Sequence, residues 1–283
     1  LKIWLETRLV PVCDENGNLI STMSVSIDVT DTLSYQKQIE EQNRDLSDFA
    51  YMVSHDLKAP IFTIKGMASA LLEDHEQALG KDGGELVHYM LDATMRLEKL
   101  VASVIEYSAL ATKDAQDEQV DLNVAAKNAI ADLSELIKEK HAQISIPEKL
   151  PQIVGNPVRL YQVFSNLLGN ALKYSASDRA PTISIEHRNG PANALIFEIK
   201  DNGIGIPAGK IQDIFRPYYR AHGNTIEGSG IGLACVKKIM ERLGGSVSAS
   251  STEGKGSVFV LSFPSVATKP REIPHDLARA FSQ

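Results

Sequence analysis

Two long stretches of apolar residues at heptad spacing, separated by a glycine-bearing gap, set the architecture of this chain. In the first, Tyr35, Ile39, Gln42, Leu46, Phe49 and Val53 step by four and three, the seam of a coiled coil. Phe49, Val53 and Leu57 then step by four and four, a stutter that locally unwinds a supercoil. In the second, Leu86, Met90, Ala93, Leu97, Leu100, Val104, Tyr107 and Ala111 keep the repeat throughout. Residues 73–84, with Gly80, Gly83 and Gly84, are expected to form a connecting loop. Two such helices make an antiparallel hairpin with one apolar stripe on each arm. Pairing two hairpins into a four-helix bundle buries both stripes, so a homodimer is expected.

His55 falls on the stutter. It lies two residues beyond Val53 and two before Leu57, and at about 100° per residue that turns it nearly opposite the seam. Pro60 removes the helix hydrogen bond to the Asp56 carbonyl and crowds that oxygen, so the helix is expected to kink or loosen beside His55. Asp56 can hold the imidazole by one ring nitrogen. That favours the tautomer with the other nitrogen free and stabilises the cation formed as phosphate is gained. By itself, a surface histidine beside an aspartate is usually only solvated. The other six of the seven histidines have no such setting.

From Val120 onward the pattern mixes elements. Helices are expected over 123–140 and 158–174, and strands near Ile144, Ile183 and Phe197 and over 258–263. A further helix follows Gly232 and ends near Gly244-Gly245, where paired glycines suit a C-terminal cap. That order predicts an α/β sandwich with helices on one face of a mixed sheet. At the other end of the chain, Met23, Val25, Ile27 and Val29 alternate with polar residues, the period of a half-buried strand. Asn16-Gly17 separates that run from the apolar run at 3–12 and signals a hairpin, which alone would be marginal in water.

The helix at 158–174 carries Gln162, Asn166, Asn170 and Lys173 in a narrow polar stripe, with Leu160, Phe164, Leu167, Leu168, Ala171 and Leu172 on the opposite arc. An otherwise buried helix must satisfy such a stripe or turn it toward a polar ligand. An amphipathic helix facing water is the plain alternative, but two mid-helix asparagines are poor helix formers. An asparagine carbonyl can ligate Mg²⁺, which keeps mostly water and phosphate oxygens when it carries ATP, and Lys173 can meet phosphate. Asp201, before a turn, can accept a hydrogen bond from an exocyclic amine such as that of adenine. Gly203 and Gly205 would let the backbone approach the ring, although Asn-Gly alone marks only a turn. Gly228, Gly230 and Gly232 precede a helical run, and glycine-rich backbone at a helix N-terminus offers N–H donors to phosphate. No strand leads directly into these glycines, so they do not form a dinucleotide fingerprint. The polar stretch 216–227 could fold as a lid, with Arg220 placed to screen phosphate charge.

Composition narrows the partners. The 283 residues suffice for two cores, and the net charge of −7 argues against a broad nucleic-acid surface. Cys13 and Cys235 lack metal-ligand spacing, which points to packed small residues in a reducing compartment. No apolar run reaches the ~18–20 residues needed to cross a bilayer, and no signal peptide is visible. The expectation is a cytoplasmic fragment without membrane contact of its own. Since the chain starts at Leu1 rather than Met, it is expected to be a fragment, with room for an anchor or sensor upstream.

Together these residues resemble the transmitter core of sensor histidine kinases over roughly residues 35–264. Ser-His-Asp-Leu-Lys-Ala-Pro at 54–60 looks like the H box, and Asn166-Leu-Leu-Gly-Asn170-Ala-Leu-Lys173-Tyr174 looks like the N box. Asp201-Asn-Gly-Ile-Gly205 is similar to the G1 box, Phe-Arg-Pro-Tyr-Tyr at 215–219 to the F box, and Gly228-Ser-Gly-Ile-Gly-Leu233 to the G2 box. The resemblance implies an α+β chain: a helical-hairpin dimerisation domain, a four-helix bundle as dimer, followed by an α/β-sandwich ATP-binding domain of the Bergerat type. It implies that His55 is the phosphoacceptor and Asp56 its general base. Asn170 would ligate Mg²⁺, Asp201 would read adenine, and Lys173, Tyr174 and Arg220 would meet phosphates. Asn166, Gly203, Gly205, Gly228, Gly230, Gly232 and Leu233 complete the expected nucleotide site. Phosphohistidine would pass its phosphoryl group to an aspartate of a response regulator.

The strand pair at the start resembles the last two strands and exit of a PAS sensor domain. Expected boundaries are 1–30 for that fragment, 31–54 for a coiled-coil signalling helix, 55–113 for the phosphotransfer hairpin, 114–264 for the catalytic domain and 265–283 for a tail. Two positions depart from the family pattern. The fourth residue after the histidine, often Thr or Asn and thought to position water for dephosphorylating the regulator, is Ala59. Gly155-Asn156-Pro157 stands where an Asp is frequent, with little consequence expected. The same ATP fold serves gyrase-type, mismatch-repair and chaperone ATPases, which carry a Glu where Asn166 stands to activate water. An ATPase and a nucleotide-binding scaffold without phosphotransfer are the competing readings.

Overall fold

The computed structural model describes residues 3–110, 117–223, 226 and 228–264. The expected tail at 265–283, residues 114–116 at the start of the expected catalytic domain, Ala111 of the second stripe and part of the lid lie outside the described residues.

Strands β1 (Leu5–Cys13) and β2 (Leu19–Asp28) pair antiparallel from Leu5↔Asp28 to Pro11↔Thr22, with a register shift between Val12 and Cys13. The turn forms where Asn16-Gly17 predicts it. Gly17 takes φ 84°, and Oδ1 of Asp14 accepts from the backbone N–H groups of Asn16 and Asn18. Cys13 is exposed, against the expectation of a packed thiol, whereas Cys235 is buried.

Helix α1 (Thr30–Ala109) contains both heptad stretches. Its dihedrals leave the helical region only at His75 and at Gly80 (φ 60°). The connection is thus far tighter than the loop expected over 73–84, and Gly83 and Gly84 are helical. Helical dihedrals also run through Pro60, so the loosening beside His55 amounts to one absent hydrogen bond rather than a break. The two arms meet through a second heptad set. Ser47, Ser54, Ile61 and Ala68 on one arm and Val87, Thr94, Val101 and Ser108 on the other are buried. Small residues here let the arms approach closely, and Nζ of Lys65 bridges to Oε2 of Glu98 at 2.9 Å. The larger apolar stripe faces away from this contact, leaving Leu46 65%, Phe49 59% and Leu86 65% exposed.

The C-terminal α/β unit begins with β3 (Glu118–Asp121), which pairs antiparallel with β5 (Gln152–Gly155). Strands β4 (Gln143–Ser145), β6 (Thr182–Asn189), β7 (Leu195–Asp201), β8 (Ser246–Thr252) and β9 (Gly256–Phe263) form a sheet in the order β4-β6-β7-β9-β8. Only the β4–β6 pairing is parallel within it, so the sheet is mixed. Helices α2 (Leu122–Asp132), α4 (Pro157–Lys173) and α5 (Gly232–Arg242) pack together against it. The helix expected over 123–140 breaks at Leu133 and resumes as the short α3 (Ser134–Glu139).

Helix α4 forms where its sequence directs. The Asn156 side chain caps it by accepting from Arg159 N–H at 3.0 Å, and Pro157 occupies the first turn. Asn performs the cap here, a role that Asp can also fill. Leu160, Phe164, Leu167, Leu168 and Leu172 are at most 1% exposed, packed with Ile183, Ile185, Phe197 and Ile199 of the sheet. Full burial of each such side chain is worth about 1.5–3 kcal/mol, so the apolar arc of α4 anchors the unit. The polar stripe of α4 is thereby forced to one edge.

Candidate functional site

That edge faces an open cleft lined by polar side chains and glycines. Asn166, Asn170, Lys173 and Tyr174 reach it from α4, Asp201 and Gly205 from the turn after β7, and Arg220 from the lid stretch. Gly228, Gly230, Gly232 and Leu233 close it at the start of α5. Gly228 and Gly230 take φ 156° and 72°, a backbone region that favours glycine. A Cβ on Gly228 would lie 2.1 Å from Nζ of Lys173, and one on Gly232 would lie 2.6 Å from Oδ1 of Asn166. Backbone N–H groups at the start of α5 and the Lys173 ammonium thus converge on one corner. Among the described cap geometry of α5, Ile231 supplies no side-chain cap, which leaves the first-turn N–H groups to serve an anion.

Asp201 ends β7. Its Oδ1 accepts from Gly203 N–H at 2.8 Å and from Ser257 N–H at 3.2 Å. Burial pushes its pKa above the usual carboxylate value, against the opposing pull of those two bonds. Since both bonds fall on Oδ1, Oδ2 is the oxygen with capacity for a ligand donor. Gly205 (φ 70°) lines the cleft, and its absent Cβ makes room for the Thr252 carbonyl. Gly203 serves differently from the expected approach to a base: its absent Cβ makes room for the Tyr174 carbonyl, 2.4 Å from where that atom would stand. The Tyr174 carbonyl in turn accepts from Ile204 N–H at 2.9 Å.

Gln162, the first residue of the polar stripe, does not line the cleft. It is buried and donates through Nε2 to Oε1 of Glu106 on the hairpin. His222, Tyr219, Ser257, Phe259, Ile206 and Ile214 line the cleft without having been expected there. His222 lies against Tyr174, ring centroids 5.7 Å apart, and its Nε2 sits 2.9 Å from the Gly205 carbonyl. Only the position of His222 beside Arg220 hinted at this from the chain.

His55 and Asp56 lie on α1, away from the cleft lining. Their side chains are 73% and 75% exposed, with Nδ1 of His55 3.3 Å from Oδ1 of Asp56. Lys65 bridges to Glu98. Stepping ten residues back along one antiparallel arm and ten forward along the other puts His55 level with Ser108. At that level the hairpin meets the α/β unit. Arg159 Nη2 donates to the Ala109 carbonyl at 2.9 Å, Arg242 Nη1 to the Leu110 carbonyl, and Lys238 Nζ to the Tyr107 carbonyl at 3.3 Å. Lys238 also stands 4.3 Å from the Tyr107 ring centroid. The last turn of α1 has no basic residue of its own, so its terminal carbonyls, which no helix can satisfy internally, are capped by cations from α4 and α5.

Among the described residues, no helix is long and apolar enough to cross a membrane. Comparison with known proteins matches residues 45–113 to the His Kinase A (phospho-acceptor) domain. Residues 155–267 match the histidine kinase-, DNA gyrase B-, and HSP90-like ATPase. The chain is 34% identical over 232 residues to cyanobacterial phytochrome B of Nostoc sp., covering 81% of this chain and 31% of the relative. It is 29% identical over 281 residues to the aerobic respiration control sensor protein ArcB of Escherichia coli, covering 94% of this chain and 35% of the relative. The chain thus spans about a third of the length of these relatives. Among solved structures, full-length ShkA in complex with AMPPNP shares the fold with a TM-score of 0.60 and 23% identity, over 77% of this chain and 45% of that one.

Proposed function

We propose, because this chain belongs to the sensor histidine kinases of two-component systems, that it moves the γ-phosphoryl group of ATP onto His55 and passes it on to an aspartate of a response regulator. The observation that carries this reading is the pairing of an exposed, carboxylate-held imidazole with a glycine-rich, polar cleft whose domain docks on the hairpin at the level of that imidazole.

The chemistry follows from the residues. Asp56 on Nδ1 holds the tautomer in which Nε2 keeps its lone pair. Nε2 forms the new bond to phosphorus as the bond from phosphorus to the bridging oxygen breaks, and that electron pair leaves with ADP. The positive charge arriving on the ring is balanced by Asp56, which acts as the general base for the Nδ1 proton. Asp201 accepts from the adenine amine. Lys173 and Arg220, with the N–H groups at the start of α5, offset phosphate charge, the dominant requirement of phosphoryl transfer. Tyr174 completes the phosphate side. The Asn170 carboxamide, with Asn166 beside it, fits the single protein oxygen that Mg²⁺ needs, and the ion when bound would neutralise phosphate oxygens. Asn166 cannot take a proton from water, so wasteful hydrolysis is slow.

Two hairpins pair in this reading. The exposed stripe of α1 is apolar over several turns and has no partner within the described chain, and a second copy covers it as a four-helix bundle, in keeping with a phospho-acceptor domain. The β1–β2 hairpin is the exit of a PAS-like sensor, residues 31–54 transmit its state, 55–113 present His55, and 114–264 bind ATP in a cytoplasmic setting. The experiment is labelling with γ-phosphate-tagged ATP and Mg²⁺, wild type against His55→Gln. Label that survives base, is lost in acid and is absent from the variant is expected. Hydrolysis without labelling would favour an ATPase, and binding with neither would favour a scaffold.

A further inference from the structure

Arg179 lies between α4 and β6, outside every motif considered so far. Its guanidinium binds three backbone carbonyls. Nε donates to Asn202 O at 2.8 Å, and Nη2 donates to Gly203 O at 3.2 Å and to Gly254 O at 2.6 Å. Asn202 and Gly203 form the turn that follows Asp201, and Gly254 belongs to the turn between β8 and β9. A backbone bond from Gly254 N–H to Ile204 O at 2.8 Å joins the same two turns. The Asn202 side chain fastens them back to the segment after Arg179, accepting from Thr182 N–H at 2.8 Å and donating to Ala180 O at 3.0 Å. Asp178, the acid nearest in sequence, stands 3.9 Å from the guanidinium and is 73% exposed. The charge of Arg179 is therefore directed chiefly at main-chain oxygens.

The first of these turns carries, and the second leads into, the donors that orient Asp201. One is Gly203 N–H, and the other is Ser257 N–H, at the start of β9 just beyond Gly254. There is no slack between them, since a Cβ on Gly205 would lie 2.2 Å from the Thr252 carbonyl and one on Gly256 would lie 2.0 Å from the Asp201 carbonyl. A guanidinium fork is suited to this task, because its donors are fixed in a plane and cannot lose their charge.

We propose that Arg179 is a positioning residue for base recognition: it braces the turn after Asp201 against the β8–β9 turn, and so fixes the direction in which the Asp201 carboxylate meets an exocyclic amine. This rests on reading the cleft as the ATP site, and it predicts a defect confined to the base. A probe pair separates that from general damage: ATP, and purine riboside triphosphate, which has the same ribose and phosphates but no amine. Dissociation constants are measured by calorimetry on the full chain for wild type, Arg179→Ala and Arg179→Lys. Arg179→Ala should weaken ATP about tenfold, the scale of one charge-assisted hydrogen bond lost or misaimed, and leave the analogue within about twofold. Arg179→Lys, a point charge able to reach some of the same carbonyls, should recover part of the loss. If Arg179→Ala does not fold, Arg179→Gln is read in the same way. An equal loss for both nucleotides, or no loss for either, overturns the brace while leaving the ATP site intact. Wild type binding neither nucleotide would instead refute the ATP reading, and the brace with it.

Discussion

Asp201→Asn replaces one acceptor oxygen by an NH₂ donor at almost constant volume, and the structure dictates which way the new amide turns. Two backbone N–H groups point at Oδ1 from 2.8 and 3.2 Å. The amide must present its oxygen there, because NH₂ facing two N–H donors would leave all of them unpaired. The NH₂ is therefore left at the position of Oδ2, donor against donor toward the adenine amine. The variant forfeits a hydrogen bond to a charged acceptor, worth about 1.5–3 kcal/mol, so ATP affinity should fall about 10- to 150-fold. Purine riboside triphosphate, lacking the amine, should lose little. Isothermal titration of both nucleotides measures the contrast, and unchanged ATP affinity would refute the assignment of Asp201 as the base reader. The ligand-free protein supplies a second readout. Burial raises the folded pKa of Asp201 above its unfolded value. A carboxyl shifted in that direction costs nothing below the unfolded value and costs progressively more as pH rises through the folded one. Denaturant melts across that window should show Asp201→Asn gaining stability relative to wild type toward neutral pH, with no gain at the acid end.

Three further predictions follow from particular contacts. Ala59 has no side chain to hold water, so phosphorylated regulator incubated with the kinase and ADP should release phosphate slowly and Ala59→Asn should speed it; brisk release by wild type would contradict this. The double variant Arg159→Ala, Arg242→Ala strips caps from the end of α1, so small-angle scattering should show a wider spread of distances between hairpin and α/β unit. An unchanged profile would mean that these cations do not hold the dock. Burial pushes the Cys235 thiol up to about 12, so thiol reagents at neutral pH should label the exposed Cys13 and spare Cys235 until the protein is unfolded.

The nucleotide cleft was legible in the chain because its parts are local. The spacing of Asn166, Asn170 and Lys173 on one helix, and of glycines before another, is set by helix geometry alone. What long-range folding brings in carried no local mark: Ser257 and Phe259 arrive from β9. Arg179 reads as one more loop cation until its three carbonyls are seen. Within the hairpin, the apolar heptads announced two helices but not how they touch. The arms meet on Ser47, Ser54, Thr94 and Ser108 interleaved with Ile61, Ala68, Val87 and Val101, a mixed set whose polar members a count of apolar side chains passes over, while the conspicuous stripe stays open. Glycines overstated the turn, since only Gly80 takes a conformation that glycine favours. Strand β8 was missed because Ser-Val-Ser-Ala-Ser-Ser-Thr shows almost no apolar alternation and is defined by its pairing with β9.

The central claim is that one imidazole receives the phosphoryl group. Its most direct test is tandem mass spectrometry, under alkaline conditions, of the peptide spanning 54–60 after incubation of the full chain with ATP and Mg²⁺. A single phosphoryl group on His55, converted to free histidine by mild acid, is expected. Phosphate on another residue, or an unmodified peptide while ATP is consumed, would contradict it.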